Sequence, residues 1–174
     1  MRYNEAMPLD NQSELFYLVD KYDNVLGSIT RKKAHTEKLN HRSIYILVKN
    51  SKDQILFQKR SAKKDTHPFF WTLSVGGHVT YPTTYFEAAK RELEEELGIS
   101  LKLKFIKKVY LDESTEFCHV YSAETNKTPD NFDKDEISQV RWVDIIELDE
   151  FIKNNQLTPS SKQVLEDIEI MKLI

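Results

Sequence analysis

Three glutamates, Glu92, Glu95 and Glu96, stand at the spacing that brings side chains to one face of a helix. Like charges three and four residues apart on a helix repel each other by roughly a few tenths of a kcal/mol per pair. Clustered carboxylate oxygens also suit Mg²⁺ or Mn²⁺, hard cations that bind substrate phosphate oxygens as well. The spacing therefore indicates either an acidic surface in solvent or a divalent metal site, where the cation would offset the repulsion.

The helix that carries these glutamates has well-defined ends in the sequence. Thr84 and Glu87, three positions apart, match a capping box, and Gly98 supplies the left-handed residue that ends many helices. We therefore predict a helix over residues 85–97. Its buried face is predicted from residues that recur at intervals of four, namely Tyr85, Ala89, Leu93 and Leu97.

Residues 77–99 as a whole form a motif that is suited to phosphate chemistry. Gly76 and Gly77 follow a short strand predicted at 72–75, and glycine permits close approach of other groups. The segment resembles the Nudix box, with the pattern G-x5-E-x7-R-E-U-x-E-E-x-G-U, where U is a bulky aliphatic residue. The positions that match in register are Gly77, Arg91, Glu92, Leu93, Glu95, Glu96, Gly98 and Ile99. Thr83 departs from the pattern, because the family has a glutamate there.

The resemblance to the Nudix box implies a hydrolase that cleaves a diphosphate linkage in a nucleoside diphosphate derivative or a similar organic pyrophosphate. It implies Mg²⁺, or Mn²⁺, bound by Glu92, Glu95 and Glu96. Arg91 would orient a glutamate through a charge-assisted hydrogen bond. Either Glu92 or Glu96 would be the catalytic base. Thr83 keeps a catalytically weak binding module as an alternative, since the missing glutamate supports the arginine in the family.

Segments around the box also resemble isopentenyl diphosphate isomerases, the non-hydrolytic branch of the same fold. They read KKAHTEKLNHR (32–42), ILFQKRSAKK (55–64), HPFFWTLSVGGHV (67–79) and EFCHVY (116–121). Metal-binding positions of the isomerases fall on His35, His41, His78 and Glu116, with one more on Ser114. Their diphosphate-contacting residues fall on Arg60 and Lys64. We accordingly assign Glu116 and Gly76 to the metal site, Arg60, Lys64 and His78 to the substrate, and His35 with His41 to a second metal site.

Three positions distinguish this chain from the isomerases it resembles. Their essential cysteine falls on Gly76, which cannot transfer a proton. They carry arginine and an aromatic residue where this chain has Glu92 and Glu95. These differences favour a Mg²⁺-dependent diphosphohydrolase, with an isomerase-like enzyme as the alternative.

The pattern along the chain predicts an α/β or α+β protein with the Nudix fold. Its 174 residues, 40% of them hydrophobic, allow one domain over 1–174 with a substantial core. Strands are predicted at 14–20, 25–29, 43–50, 55–60, 72–75, 101–111, 115–124 and 137–143. We expect a mixed sheet sandwiched between helices, a frayed segment at 1–13, and an N-terminal hairpin with its connector at 14–42. A second hairpin is predicted from the strands at 43–50 and 55–60.

Composition restricts the partners of the protein. A net charge of −3 argues against binding to a long nucleic acid but allows a small phosphorylated ligand. The resemblance to the Nudix box implies that this ligand is a small pyrophosphate substrate. Cys118 is the single cysteine, which excludes an internal disulfide. No apolar segment is long enough to cross a membrane, so the cytoplasm is the expected location. The N-terminal hairpin could extend a sheet into a second copy of the chain, so the sequence allows a homodimer.

Overall fold

The computed structural model describes residues 10–168. Its strands are β1 Leu15–Val19, β2 Val25–Thr30, β3 His41–Lys49, β4 Gln54–Arg60, β5 Trp71–Leu73, β6 Val75–His78, β7 Lys104–Leu111, β8 Glu116–Glu124 and β9 Ile137–Asp144. Its helices are α1 Arg31–Thr36, α2 Tyr85–Leu97, α3 Leu148–Asn154 and α4 Pro159–Asp167, and a 3₁₀ turn at Ile145–Glu147 precedes α3. Within residues 10–168, no helix is long and apolar enough to cross a membrane.

Helix α2 has the bounds that its sequence predicts. The side chain of Thr84 accepts a hydrogen bond from the backbone of Glu87, whose side chain accepts one from the backbone of Thr84. Gly98 closes the helix with a φ of 65°. The predicted apolar face is buried at Ala89, Leu93 and Leu97 and half-buried at Tyr85. The local capping signals therefore set the position of the box helix along the chain.

The main sheet is built around β3. This strand pairs in parallel with β8 and antiparallel with β6, and β8 pairs antiparallel with β7. A second antiparallel group joins β4 to β5 and to β9. The predicted hairpin of β3 and β4 is formed only at its turn, where Lys49 pairs with Ile55. Beyond the turn the strands diverge, and the Ser74 hydroxyl bridges them by accepting from Val48 N and donating to Leu56 O.

Helices cover both faces of this mixed sheet, as the sequence predicts for the Nudix fold. Alternate residues of β3 point to opposite sides: Ile44 and Ile46 pack in one core with Leu93 of α2. Leu47 packs in the other core with Phe151 of α3 and Val164 of α4. The packing on both faces of the sheet therefore holds the end of β6 next to α2.

The N-terminal hairpin, β1 and β2, forms a separate two-stranded sheet that packs on the domain. Residues 1–9 of the segment predicted to be frayed lie outside the described residues. Residues 10–13 of that segment are held, since Lys32 N donates to Gln12 O and the Asp10 carboxylate pairs with Lys64. Phe16 of β1 is fully buried and stacks on the ring of His78 at a centroid distance of 4.4 Å.

Asp23, in the turn between β1 and β2, fixes the hairpin to three other elements. Its Oδ1 accepts from Arg42 Nε of β3 at 2.7 Å, and its Oδ2 accepts from the hydroxyl of Tyr85 in α2 at 3.1 Å. Lys108 of β7 also donates to Oδ2. The Asp23 side chain is only 6% exposed, so these contacts are shielded from bulk water.

Replacing Asp23 with alanine should destabilise the protein by about 1–3 kcal/mol, because the partly buried Arg42 loses its carboxylate partner. Urea denaturation measures this loss. Asp130→Ala, at an exposed loop position, is the matched control and should change the free energy of unfolding by less than about 0.5 kcal/mol. Equal effects of the two substitutions would show that Asp23 does not anchor the hairpin.

Candidate active site

A cavity of about 650 Å³ opens where the end of β6 meets α2, β3 and the loop after β4. Most of the residues predicted for the site line it: His35, Arg60, Lys64, Gly76, His78, Glu92, Glu95, Glu96 and Glu116. The other two, Arg91 and His41, contact members of this lining. The fold thus brings the box glutamates and the histidines, which are far apart in sequence, to one cavity.

Glu92 lies directly against Gly77, the first residue of the box. A Cβ atom on Gly77 would stand 2.4 Å from the carboxyl carbon of Glu92, which no real side chain tolerates. Glycine at this position therefore creates the space for the Glu92 carboxylate. Arg91 donates to Glu92 Oε1 at 2.8 Å and fixes the carboxylate from its other side.

Glu96 is the second box carboxylate that faces the interior. It is 8% exposed, and its Oε2 accepts a hydrogen bond from Gln58 Nε2 of β4 at 2.6 Å. Burial raises the pKa of Glu92 to about 7, against the opposing effect of Arg91. Burial and the neighbouring Glu92 raise the pKa of Glu96 well above its usual value. One buried and one half-buried carboxylate that both resist ionisation are a donor set that a divalent cation would stabilise.

Glu95 is placed differently from the other two box glutamates. Its side chain is 62% exposed, and its nearest cation is Arg91 Nε at 3.7 Å. The residue lies at the mouth of the cavity rather than inside it. The described structure thus pairs Glu92 with Glu96 and leaves Glu95 toward solvent.

Arg91 has three hydrogen-bond acceptors although Thr83 replaces the family's glutamate. Its NH1 donates to Thr80 Oγ1 at 2.8 Å, and its NH2 donates to the carbonyl of His78 at 3.2 Å. Thr83 contributes indirectly, because its hydroxyl donates to Thr80 O at 2.7 Å. A short threonine network therefore holds the guanidinium on the loop before α2.

A second group of potential metal ligands lies beside the box. Helix α1 contributes His35, β3 begins with His41, β6 ends with His78, and β8 begins with Glu116. The parallel pairing of β3 with β8 places His41 directly opposite Glu116. One ligand atom from each of the four residues lies within 4.8 Å of all the others.

The chemistry of this histidine cluster suits a metal ion. Burial lowers the pKa of His35 and of His78 to about 4, so both rings are neutral at neutral pH, the form that binds metals. His78 Nε2 lies 3.2 Å from His35 Nε2 and 3.4 Å from Glu116 Oε1. Among residues 10–168, His41 Nε2 is a buried atom without a hydrogen-bond partner. A cation held by the cluster would satisfy it.

Two of the residues predicted to contact substrate, Arg60 and Lys64, are bonded to other parts of the protein. Arg60 donates twice to the carbonyl of Thr66 and so shapes the loop that follows β4. Lys64 Nζ lies 3.0 Å from Asp10 Oδ1 and 2.5 Å from Glu136 Oε2. Both cations line the cavity, and both are engaged with oxygen atoms of the chain.

Gly76, the position of the isomerase cysteine, is covered by an aromatic ring. A Cβ atom on Gly76 would stand 2.6 Å from Cε1 of Tyr45, its partner on β3. A side chain at position 76 would therefore require Tyr45 to move. Gly76 can offer a ligand only main-chain atoms.

Sequence reasoning did not find several residues that shape the cavity. Gln58 and Thr80 hold the box residues Glu96 and Arg91, while Tyr45, Asp10 and Arg31 line the wall. Polar residues on strands and loops are common, and their partners are distant in sequence. For Arg31 a signal was available, since it stands four residues before His35 and would lie on the same face of α1.

Metal binding to the Glu92–Glu96 pair should strengthen as the pH rises from about 6 to about 8, because a cation must displace the protons that these carboxyl groups retain. His35 and His78, with pKa values near 4, remain neutral over this range and release no protons. Titration calorimetry with Mn²⁺ in two buffers of different ionisation enthalpy measures the released protons. An affinity that is constant or falls with pH would contradict the assigned protonation.

Comparisons with known proteins agree with the architecture of this site. The family model described as NUDIX domain matches residues 39–168. An uncharacterized Nudix hydrolase of Pseudomonas aeruginosa is 35% identical over 136 residues, which cover 76% of this chain and 80% of that protein. A Photorhabdus laumondii protein named isopentenyl-diphosphate Delta-isomerase 2 is 34% identical over 148 residues, covering 81% and 83%.

The similarity extends to three-dimensional structure. The crystal structure of DR0079 from Deinococcus radiodurans superposes with a TM-score of 0.77 at 26% identity, and covers 88% of this chain and 98% of that one. The family match spans most of the chain and includes the whole box. The chain therefore belongs to the Nudix superfamily and is a Nudix-type hydrolase.

Proposed function

We propose that this hydrolase is a Mg²⁺-dependent diphosphohydrolase, with Mn²⁺ as an alternative cation. Its proposed substrate is a nucleoside diphosphate derivative or a similar organic pyrophosphate. The observation that carries the proposal is a pair of carboxylates, Glu96 buried and Glu92 with its side chain 17% exposed, beside Gly77 in a cavity of about 650 Å³. This volume is in the range of ordinary small-molecule sites. A cytoplasmic location and a homodimer remain predictions from the sequence.

The box residues would divide the catalytic work as follows. Glu92 and Glu96 would hold the cation, with Glu95 at the cavity mouth and the main chain of Gly76 as further ligands. When bound, the cation would neutralise charge on the diphosphate and lower the pKa of a water molecule. Glu92 or Glu96 would accept the proton of that water, since a pKa near neutral suits a general base.

We further propose that His35, His41, His78 and Glu116 hold a second metal ion. Three imidazoles and one carboxylate suit a transition metal better than Mg²⁺, which prefers oxygen ligands. Phe16 and Arg31 support this site, because the Phe16 ring stacks on His78 and Arg31 NH1 lies 3.2 Å from His78 Nδ1. Both ring nitrogens of His78, which is also predicted to contact substrate, have partners: Nε2 lies against His35 of the cluster and Nδ1 against Arg31.

Isomerisation is the second candidate, because a relative with an isomerase name is 34% identical and the histidine cluster lies in the same cavity. Gly76 weakens this candidate, since it offers no acid or base. The Tyr45 ring fills the space where a side chain at position 76 would stand. The binding-module alternative is weakened by the acceptors that Arg91 retains despite Thr83.

The wild-type protein with Mg²⁺ should release phosphate-containing products from at least one member of a broad panel. The panel comprises nucleoside di- and triphosphates, dinucleotides, nucleotide sugars and isopentenyl diphosphate, with product identification. Glu92→Gln and Glu96→Gln should each lower the rate by about 10²-fold or more, because each removes a metal ligand or base.

Glu94→Gln is the matched control for this experiment, since Glu94 is an exposed glutamate of the same helix that does not line the cavity. Its rate should stay close to that of the wild type. Hydrolysis that survives both box substitutions would contradict the assigned roles. Conversion of isopentenyl diphosphate to its dimethylallyl isomer would instead favour the isomerase.

The purified protein should contain roughly one equivalent of a transition metal, and His35→Ala and His41→Gln should each lose it, because the cluster would fall from four ligands to three. Inductively coupled plasma mass spectrometry measures the metal content. His119→Gln is the control, since His119 stacks on Tyr85 and is not one of the four clustered residues. Unchanged metal content in the His35 and His41 variants would refute the second site.

A further inference from the structure

The N-terminal segment places a carboxylate among the cations of the cavity. Asp10 Oδ1 lies 3.0 Å from Lys64 Nζ and 3.4 Å from Arg31 NH2. The side chains of Asp10 and Lys64 are each 9% exposed and that of Arg31 is 10% exposed, so the contacts are made out of bulk water. All three residues line the cavity that holds the box glutamates. The Asp10 carboxylate therefore lies between Lys64 and Arg31 inside the proposed active site. We call this position between the two cations the seat.

The carboxylate fills this seat incompletely. Within residues 10–168, Arg31 Nε is buried and has no hydrogen-bond partner. The Asp10 carboxylate also lies against the Asp65 carboxyl group, whose pKa is raised by burial and by Asp10. A phosphate group offers three or more acceptor oxygens, whereas a carboxylate offers two, and could accept from Arg31 Nε as well. The position between Lys64 and Arg31 therefore retains a donor that Asp10 does not satisfy.

The two cations keep other partners when Asp10 is removed. Lys64 Nζ remains paired with Glu136 at 2.5 Å, and Arg31 NH2 lies 3.8 Å from Asp65. Among the described residues of the N-terminal segment, 10–13, one backbone bond runs from Lys32 N to Gln12 O, and Glu14 N donates to Asn11 O. The Gln12 side chain also donates to Asp10 O and to Asp65. Asp10 can therefore leave the cavity without stranding a bare buried charge.

We propose that Asp10 is an internal competitor of the substrate: its carboxylate occupies the seat formed by Lys64 and Arg31, and a substrate phosphate displaces it. The proposal rests on the proposed function, which places a diphosphate in this cavity. In this proposal, residues 10–13 act as a strap that keeps Asp10 in the seat until a substrate phosphate binds. The displaced carboxylate would lower the apparent affinity for phosphorylated compounds and so exclude those that bind weakly.

Binding of inorganic pyrophosphate without divalent metal, in the presence of EDTA, tests this competition directly by titration calorimetry. Asp10→Asn should bind about tenfold more tightly than the wild type, because the competing charge is gone and the side chain keeps its size. Glu37→Gln removes the same charge at an exposed position that does not line the cavity, and should bind like the wild type. Lys64→Ala in the Asp10→Asn background should remove the gain.

Hydrogen exchange is a second measurement of the displacement of Asp10 by pyrophosphate. Pyrophosphate should accelerate exchange of the Glu14 amide, whose acceptor is the carbonyl next to Asp10. Equal pyrophosphate affinity of the wild type and Asp10→Asn, or no binding by either, would overturn the strap. The hydrolysis panel separates the two hypotheses: turnover by the wild type in that case would leave the diphosphohydrolase standing, and its absence would remove both.

Discussion

The close packing of the Glu92 carboxylate on Gly77 is the contact on which the rest of the site depends. It requires a residue without a side chain at the end of β6, and a helix that begins and ends where the capping residues set it. Given both, Glu92 and Glu96 face the cavity, and burial, together with the charge of Glu92 acting on Glu96, raises the pKa of both carboxyl groups. A divalent cation is the group that such a pair could bind, and the cation could in turn hold the phosphates of a substrate.

The same strand end joins the two proposed metal sites. Gly77 contacts the Glu92 side chain of the box, and the next residue, His78, belongs to the cluster of three imidazoles and Glu116. The N-terminal hairpin completes this second cluster by stacking Phe16 beneath His78, and Asp23 holds the hairpin in place. The chain therefore combines the three helix glutamates of the Nudix box, with Thr83 in place of the fourth, and a neighbouring cluster of three histidines and a glutamate. Gly76 offers no side chain for proton transfer, which argues against isomerisation.

The sequence predicts the parts of the structure that local signals encode. The bounds of α2, its buried face and the Nudix fold follow from capping residues, periodicity and the box motif, and these predictions are confirmed. The divergence of β3 from β4 could not be predicted, because the better partners of each strand lie far along the chain. For the same reason, the contact of Gln58 with Glu96 and that of Asp10 with Lys64 could not be predicted from the sequence. The outward position of Glu95 depends on side-chain geometry that helical spacing alone does not specify.

Anomalous scattering from crystals grown with Mn²⁺ and a non-hydrolysable diphosphate analogue tests the central claim most directly. The account predicts a manganese peak between the carboxylates of Glu92 and Glu96, with a phosphate oxygen of the analogue as a further ligand. It also predicts that the Glu92 carboxylate stays against Gly77. Manganese bound elsewhere, with both carboxylates turned to solvent and no phosphate beside them, would contradict the assignment of this cavity as a diphosphate-cleaving site.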